Sequence, residues 1–280
     1  MIRPFLQDEL FLEDVRQARS HPEQLHLWWL GQSGFLVLGQ GRFLLLDPYL
    51  SDSLTRKYAG TEKPHVRMTE RVIAPEKLGF VEAVTSTHNH TDHLDAETLL
   101  PLIDANPGLQ VIVSRANQDF AAQRLGAPPE RLTPIRADGD AVQAGPFRLR
   151  AIPSAHEALE VDEHGDHSFI GYLVEVGKWR LYHSGDCCLY PGLVERLQAQ
   201  PLALALLPIN GRDPARGVAG NFSAQEAVEL GLEARIGLVV PCHYEMFEFN
   251  SVSPDGFSHL ARERGLQHRV LRAGERLSLD

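Results

Sequence analysis

Short apolar runs of strand length recur through most of this chain, and they restrict it to a fold built around β-sheets. The later runs 202–209 and 236–241 are almost continuously apolar, which indicates strands covered on both faces. The earlier runs are rich in β-branched and aromatic residues and include adjacent, hairpin-like pairs. They are 26–31, 34–39, 42–48, 81–87, 109–114, 147–153, 169–176 and 179–185.

Helical segments lie between these runs, and they decide the fold class. Hairpins mixed with strand–helix alternation indicate a mixed sheet with helices outside it, in the α/β or α+β class. The segment 51–77 is the least regular, which predicts a long loop near the functional site. The predicted helices are 95–103, 115–126, 191–200, 223–232 and 254–264.

Composition excludes several classes of function. A net charge of −10 without any basic run argues against a nucleic-acid surface, because phosphate binding needs clustered Lys and Arg. No apolar stretch approaches the roughly 18 to 20 residues that span a bilayer, and the acid-interrupted start does not fit a signal peptide. The three cysteines show no CxxC spacing, so we expect reduced thiols and a cytoplasmic protein.

The run His88-Asn89-His90-Thr91-Asp92-His93 is the strongest chemical signal in the sequence. Residues at i and i+2 of an extended segment point to the same side, so His88 and His90 can offer two imidazoles to one metal ion. Burying such a cluster without a metal would be costly. A carboxylate among imidazoles suits Zn, Mn or Fe better than Ca or Mg. Four such side chains in six residues suggest two metals.

Three further candidates, His156, Asp186 and His243, each follow a strand-like run, and strand ends are where sites in layered folds collect. Taken singly, they also fit an ordinary loop residue, a turn former and a strand-end cap respectively. The repeated context favours the metal-site interpretation.

Four more residues are weaker candidates for supporting roles. Asp47 either accepts a hydrogen bond from a ligand imidazole or forms a turn before Pro48, and His183 either lines the pocket or lies in the interior. Arg212 and Arg216 could bind a phosphate or carboxylate through forked hydrogen bonds, although a solvated surface loop fits them as well.

The motif His88–His93, followed in this order by Asp186 and His243, resembles the metallo-β-lactamase superfamily over nearly the whole chain. The resemblance implies a four-layer αββα sandwich and a single hydrolase domain over 1–280. It also implies two divalent cations, Mn or Zn, with Asp186 bridging. Their ligands would be His88, His90 and His156 for the first, and Asp92, His93 and His243 for the second.

The same resemblance implies a mechanism. Two bound cations could share a hydroxide, which would be the nucleophile, and one of them would stabilise the oxygen that gains charge. Asp92 could orient the hydroxide and pass its proton to the leaving group.

Within the superfamily, the segments 28–34, 87–95, 181–186 and 240–245 resemble the L-ascorbate-6-phosphate lactonase branch. That branch implies hydrolysis of a sugar-acid lactone. His156 and the spacing before Arg216 depart from its pattern. Two alternatives stay open: a phosphodiesterase on the same site, and an iron-dependent redox or non-catalytic metal protein. We expect a small-molecule substrate, anionic if the arginines bind it; a homo-oligomer also remains open.

Overall fold

Two β-sheets form the centre of the protein in a computed structural model that describes residues 1–280. The first sheet has seven strands and begins with three antiparallel pairs, after which its remaining neighbours run parallel. In spatial order they are β13 (Arg276–Leu279), β1 (Leu25–Gly31), β2 (Gly34–Gly39), β3 (Arg42–Leu46), β4 (Ala83–Ser86), β5 (Gln110–Ser114) and β6 (Leu132–Ile135).

The second sheet has six strands and a similar division. Three neighbouring strands are parallel, and the other pairs are antiparallel. In spatial order they are β12 (Val239–Cys242), β11 (Leu204–Pro208), β10 (Trp179–His183), β9 (Ile170–Val176), β8 (Phe147–Pro153) and β7 (Val142–Ala144).

Helices cover the outer faces, which completes the four-layer αββα sandwich that the resemblance implies. Helix contacts with β5, β6 and β11 show that both sheets are covered. The helices are α1 (Asp8–Ala18), α2 (Ser53–Lys57), α3 (Ala96–Ala105), α4 (Gln118–Leu125), α5 (Leu193–Gln198), α6 (Ala224–Glu233) and α7 (Pro254–Arg264). None of them combines the length and apolarity that a bilayer crossing requires.

Burial on both faces explains the continuous apolar runs. Every residue of β1, β2 and β11 is buried, since one face of each sheet packs on the other sheet and the opposite face lies under helices. One hydrophobic cluster of 72 buried residues includes side chains of both sheets. The sheets approach closely where Gly39 of β2 meets Val176 of β9, so closely that a Cβ at Gly39 would lie 2.7 Å from Val176.

The predicted strands and helices are present with shifts of a few residues at their ends, and several elements were not predicted. The acid-rich start forms α1, whose buried face is Phe11, Val15 and Ala18. The segment 51–77 is not only a loop, because α2 lies within it. The short strands β6, β7 and β13 were also missed, since four residues or fewer give little periodicity.

The strand directions bring the chemical residues to one edge of the sandwich. In the first sheet, β3 and β4 are parallel, so Asp47 and His88 follow strands that end at the same edge. In the second sheet, β8 and β10 are both antiparallel to β9, and β10 to β12 are parallel. The segments that carry His156, Asp186 and His243 therefore also leave the sheet at one edge.

Gly185 allows the two sheets to meet at this edge. Its φ is +58°, and an added Cβ would lie 2.5 Å from the Thr87 hydroxyl oxygen of the other sheet. A side chain here would therefore push apart the segments that carry Asp186 and His88.

We predict that Gly185→Ala destabilises the protein by about 1 to 3 kcal/mol more than Gly126→Ala, because only the first substitution overpacks a contact. Gly126 is a matched control, since its φ is +62° and an added Cβ meets nothing within 4 Å. Chemical denaturation of both variants measures the difference. Equal losses of stability would show that the approach of Gly185 to Thr87 is not constrained.

Candidate metal centre

The six-residue motif forms the turn between β4 and α3. The backbone N–H groups of His93 and Leu94 both donate to the carbonyl of His90, which closes this turn. His88 and His93 are buried, whereas His90 is exposed and Asp92 is partly exposed. The turn therefore presents buried and accessible ligand-type side chains on one short segment.

The structure gathers the predicted metal ligands into two groups. In each group, the candidate ligand atoms all lie within 4.8 Å of one another. The first group is His88, His90 and His156, and the second group is Asp92, His93 and His243. This is the division that the resemblance implies, and a third such set, Asp47, His88 and His93, crosses it.

Asp186 lies between the two groups. Its Oδ1 is 3.3 Å from Nε2 of His93, and its Oδ2 is 3.4 Å from Nε2 of His243. The same Oδ2 is 3.7 Å from Nε2 of His156, which belongs to the first group. A carboxylate in this position can contact ions in both groups.

Unpartnered imidazole nitrogens test whether these residues fit metal ions. Nε2 of His88 and Nε2 of His93 are buried and have no hydrogen-bond partner in the protein. Buried polar atoms are normally paired, so such nitrogens need an external partner. A divalent cation can be such a partner, so the donor set fits the metal ions that the resemblance implies.

Hydrogen bonds on the far side of two rings keep Nε2 available. Nδ1 of His93 donates to the Asp47 carboxylate at 2.8 Å, and Nδ1 of His156 donates to the Gly220 carbonyl at 2.8 Å. Such bonds fix the tautomer and orientation of metal-binding histidines. The other nitrogen of each ring, Nε2, lies close to Asp186 at the centre.

Asp47 is held in place by several donors. The Thr85 hydroxyl donates to its Oδ1 at 3.0 Å, and the Thr87 backbone N–H lies 3.1 Å from both carboxylate oxygens. The Thr87 hydroxyl donates to Oδ2 as well. With its side chain fully buried, Asp47 makes a rigid support for His93.

The carboxylates and imidazoles of the centre change one another's pKa values. Burial alone would raise the pKa of Asp186, but His243 and His93 outweigh it and hold that pKa well below its usual range. Burial alone would lower the pKa of His93, whereas Asp186 and Asp92 raise it well above the ordinary value. His88 has fewer acidic neighbours, and its burial lowers its pKa. The neighbouring imidazoles therefore favour the ionised form of Asp186.

A cavity of about 440 Å³ opens over both groups. Asp92, Asp186 and three of the ligand-type histidines line its floor. The helix α2, the following loop and the segments near 218 and 248 form its walls. The segment 51–77, which the sequence predicted to lie near the functional site, therefore borders it, and so does the loop 211–222. Aromatic and basic side chains dominate the walls, namely Lys57, Tyr58, His65, Phe120, Arg124, Phe247 and Phe249.

Three supporting candidates lie away from the cavity. His183 is fully buried, and its Nε2 donates to the Ser33 carbonyl at 2.9 Å. It therefore lies in the protein interior and does not line the pocket. Arg212 pairs with Glu226 on the surface. Arg216 donates to the Asn210 carbonyl at 2.5 Å. Neither arginine lines the cavity, so the expectation that they bind a substrate anion there is not supported by their positions.

Two residues that the sequence did not single out contact the centre. The Gln32 side-chain Nε2 donates to Asp92 Oδ2 at 2.8 Å, and the segment 28–34 that carries it was the available signal. Arg124 donates to the carbonyls of Asn89 at 2.7 Å and Leu94 at 3.0 Å, and thereby holds the motif turn from α4. Nothing in the local sequence pointed to Arg124.

Comparison with known proteins agrees with this fold. The sequence profile described as the beta-lactamase superfamily domain matches residues 42–244. The chain belongs to the metallo-β-lactamase superfamily, and it is a metal-dependent hydrolase of that superfamily.

Two relatives and one solved structure illustrate the similarity. A UPF0173 metal-dependent hydrolase of Thermus thermophilus is 28% identical over 254 residues, which cover 90% of this chain and 98% of the relative. The Escherichia coli protein named as a probable L-ascorbate-6-phosphate lactonase, UlaG, is 22% identical over 271 residues, covering 86% of this chain and 75% of that protein. A possible metal-dependent hydrolase of Veillonella parvula has the same fold, with a TM-score of 0.71, 16% identity and coverage of 91% of this chain and 99% of that chain.

We predict that Asp47→Asn weakens metal binding by about 10- to 100-fold, because the carboxylate that orients His93 is lost. Competition with a chromophoric chelator measures the dissociation constants. Asp104→Asn, an exposed position on α3, is the matched control and should bind metal normally. Unchanged metal affinity in Asp47→Asn would contradict the proposal that Asp47 orients His93.

Proposed function

We propose that this protein is a lactonase that hydrolyses a sugar-acid lactone such as L-ascorbate 6-phosphate, at a centre of two divalent cations, Mn or Zn. One observation carries the proposal. Asp186 lies between the two groups of ligand-type side chains, and this arrangement lies at the floor of a cavity with basic side chains in its walls. The similarity of this chain to UlaG, at 22% identity, supports the choice of substrate class.

The proposed ligands divide as the two groups do. His88, His90 and His156 would hold one cation, Asp92, His93 and His243 the other, and Asp186 would contact both. When bound, divalent cations lower the pKa of water toward neutrality and polarise a carbonyl oxygen, which is the chemistry that lactone hydrolysis needs.

Asp92 is the residue best placed to handle a proton. Its side chain is 17% exposed and lines the cavity, whereas the side chains of His93 and Asp186 are almost completely buried. Burial alone would raise its pKa, but His93 and His243 outweigh this and lower it. The ionised carboxylate can accept a proton from the attacking water and return it to the alkoxide that leaves when the ring opens.

The walls suit a small anionic substrate with a flat face. Tyr58 and His65 stack at 4.1 Å, and Phe249 packs against His65, which gives an apolar surface along one side. The ammonium of Lys57 lies near the Tyr58 ring at the same wall, and no carboxylate pairs with it in the protein. Lys57 is thus free to attract a substrate phosphate or carboxylate, the role first considered for Arg212 and Arg216.

Substrate turnover tests the proposal. The enzyme loaded with Mn²⁺ or Zn²⁺ would be offered L-ascorbate 6-phosphate, unphosphorylated sugar lactones and aryl phosphodiesters, and its bound metals would be measured by elemental analysis. We expect lactone opening with two equivalents of metal. Turnover of diesters alone would favour a phosphodiesterase over a lactonase. One tightly bound iron ion without Mn or Zn would contradict the proposed hydrolytic centre.

We predict that Asp92→Asn lowers kcat by at least about 100-fold, in line with the usual contribution of a positioned acid–base group. The fold should be retained because the substitution is nearly isosteric. Circular dichroism and the rate of lactone opening measure the two effects. Asp140→Asn changes the same atoms at an exposed position and should have normal activity. Near-normal turnover in Asp92→Asn would contradict its proposed role.

We predict that Lys57→Gln raises KM for a phosphorylated lactone by about 3- to 5-fold, a modest effect because the side chain is exposed. The KM for the unphosphorylated lactone should not change, and the difference should shrink as salt is added. Lys178→Gln, at the exposed turn between β9 and β10, is the control. An equal change for both substrates would show that Lys57 does not contact the anion.

A further inference from the structure

Arg124 of α4 lies at the wall of the cavity, and the protein holds its guanidinium at one nitrogen. Its Nη1 donates to the carbonyls of Asn89 at 2.7 Å and Leu94 at 3.0 Å. The guanidinium carbon also lies 4.5 Å from the centre of the Phe120 ring, which lines the cavity as well. These contacts fix the guanidinium beside the motif turn.

The other nitrogens of this guanidinium have no partner in the protein. All hydrogen bonds of Arg124 start at Nη1, so Nε and Nη2 donate to no protein atom. A guanidinium presents Nε and Nη2 as a fork that matches two oxygens of a carboxylate or a phosphate. Arg124 therefore has a forked edge that is free to bind an anion at the cavity wall.

The positive charge of Arg124 is also unpaired. Arg67 is partly buried as well, and it forms an ion pair with Asp52 at 2.7 Å. Arg124 forms no ion pair, and burial lowers its pKa more than the nearby acid Asp95 raises it. Withdrawing a charge from water without a partner is costly. The position of Arg124 therefore favours an anionic ligand.

The cavity has a second positive charge of the same kind. Among the residues that line it, Lys57 is the other lysine or arginine, and it also pairs with no carboxylate. A phosphomonoester carries a charge of about −1.5 to −2 near pH 7 and has three acceptor oxygens. It can therefore bind the Arg124 fork and the Lys57 ammonium together, whereas a carboxylate would leave one positive charge unmatched.

We propose that Arg124, together with Lys57, binds a phosphomonoester group of the substrate, with the guanidinium fork on two phosphate oxygens. The substrate would then be a phosphorylated sugar derivative. Because Arg124 is hydrogen-bonded to the motif turn, its phosphate would be held at a fixed place relative to the ligand-type side chains. This inference rests on the proposed function and deepens it, since it names the group that the cavity selects.

Binding of 6-phosphogluconate and of gluconate to the Mn²⁺-loaded protein tests the inference without lactone turnover. The two ligands differ only in the phosphate, and calorimetry measures their dissociation constants. We expect the wild-type protein to bind 6-phosphogluconate more tightly. Arg124→Gln should lower this preference by about tenfold, because charge-assisted hydrogen bonds are lost. Arg124→Lys keeps the charge but not the fork, so its preference should be intermediate.

The ratio of the two dissociation constants separates anion binding from support of the motif turn. A loss of that support would affect both ligands alike and cancel in the ratio. Arg150→Gln is the matched control, because Arg150 is also partly buried without an ion pair but lies on β8, outside the cavity. Its ratio should equal that of the wild type. If Arg124→Gln fails to fold, Arg124→Lys gives the answer, since its ammonium can still donate to the turn.

An unchanged ratio in the Arg124 variants, or equal binding of both ligands by the wild-type protein, would overturn the inference. An equal loss of affinity for both ligands would overturn it as well, because Arg124 would then support the turn or bind a carboxylate. Lactone turnover is scored separately. A protein that binds 6-phosphogluconate through Arg124 but opens no lactone would contradict the proposed function and leave the phosphate site standing.

Discussion

The burial of imidazole nitrogens without protein partners is the constraint on which this structure depends. Desolvating such groups is costly unless something pairs with them, yet Nε2 of His88 and His93 is buried and unpaired. The fold concentrates its supporting bonds around them. The Asp47 carboxylate receives donors from Thr85, Thr87 and His93. Asp47 and His243 also adopt positive φ values of 39° and 64°, a local backbone cost that the surrounding bonds must offset.

Much of the fold could be predicted because most of its strands are buried on both faces and therefore read as apolar runs. The run 202–209 predicted β11 for this reason, and every residue of that strand is buried. The terminal elements carried weaker signals. The strand β13 pairs only with β1 and has no fully buried residue, so its sequence does not differ from a loop. Helix α1 did have a periodic apolar face, which its acidic residues obscured.

The residues of the candidate site also differ in how well the sequence predicts their positions. Its ligand-type residues could be found from sequence because each follows a strand, and parallel strands end at one edge. Residues that depend on loop paths could not be placed. The sequence around Arg212 and Arg216 favours an anion site, but Glu226 and the Asn210 carbonyl hold these side chains outside the cavity. Lys57 reaches the cavity from α2, within a segment that showed no regular pattern.

The arrangement also explains why the two halves of the centre need not be equivalent. The first group consists of imidazole side chains alone, and the orientation of His156 is set by its hydrogen bond to the Gly220 carbonyl. The second group includes Asp92, which lines the cavity and is in contact with Gln32. In the proposed mechanism Asp92 would both hold an ion and pass a proton, and these two roles differ from those of the three imidazoles in the first group. Its partly exposed side chain, which also accepts a hydrogen bond from Gln32, distinguishes the second group from the first.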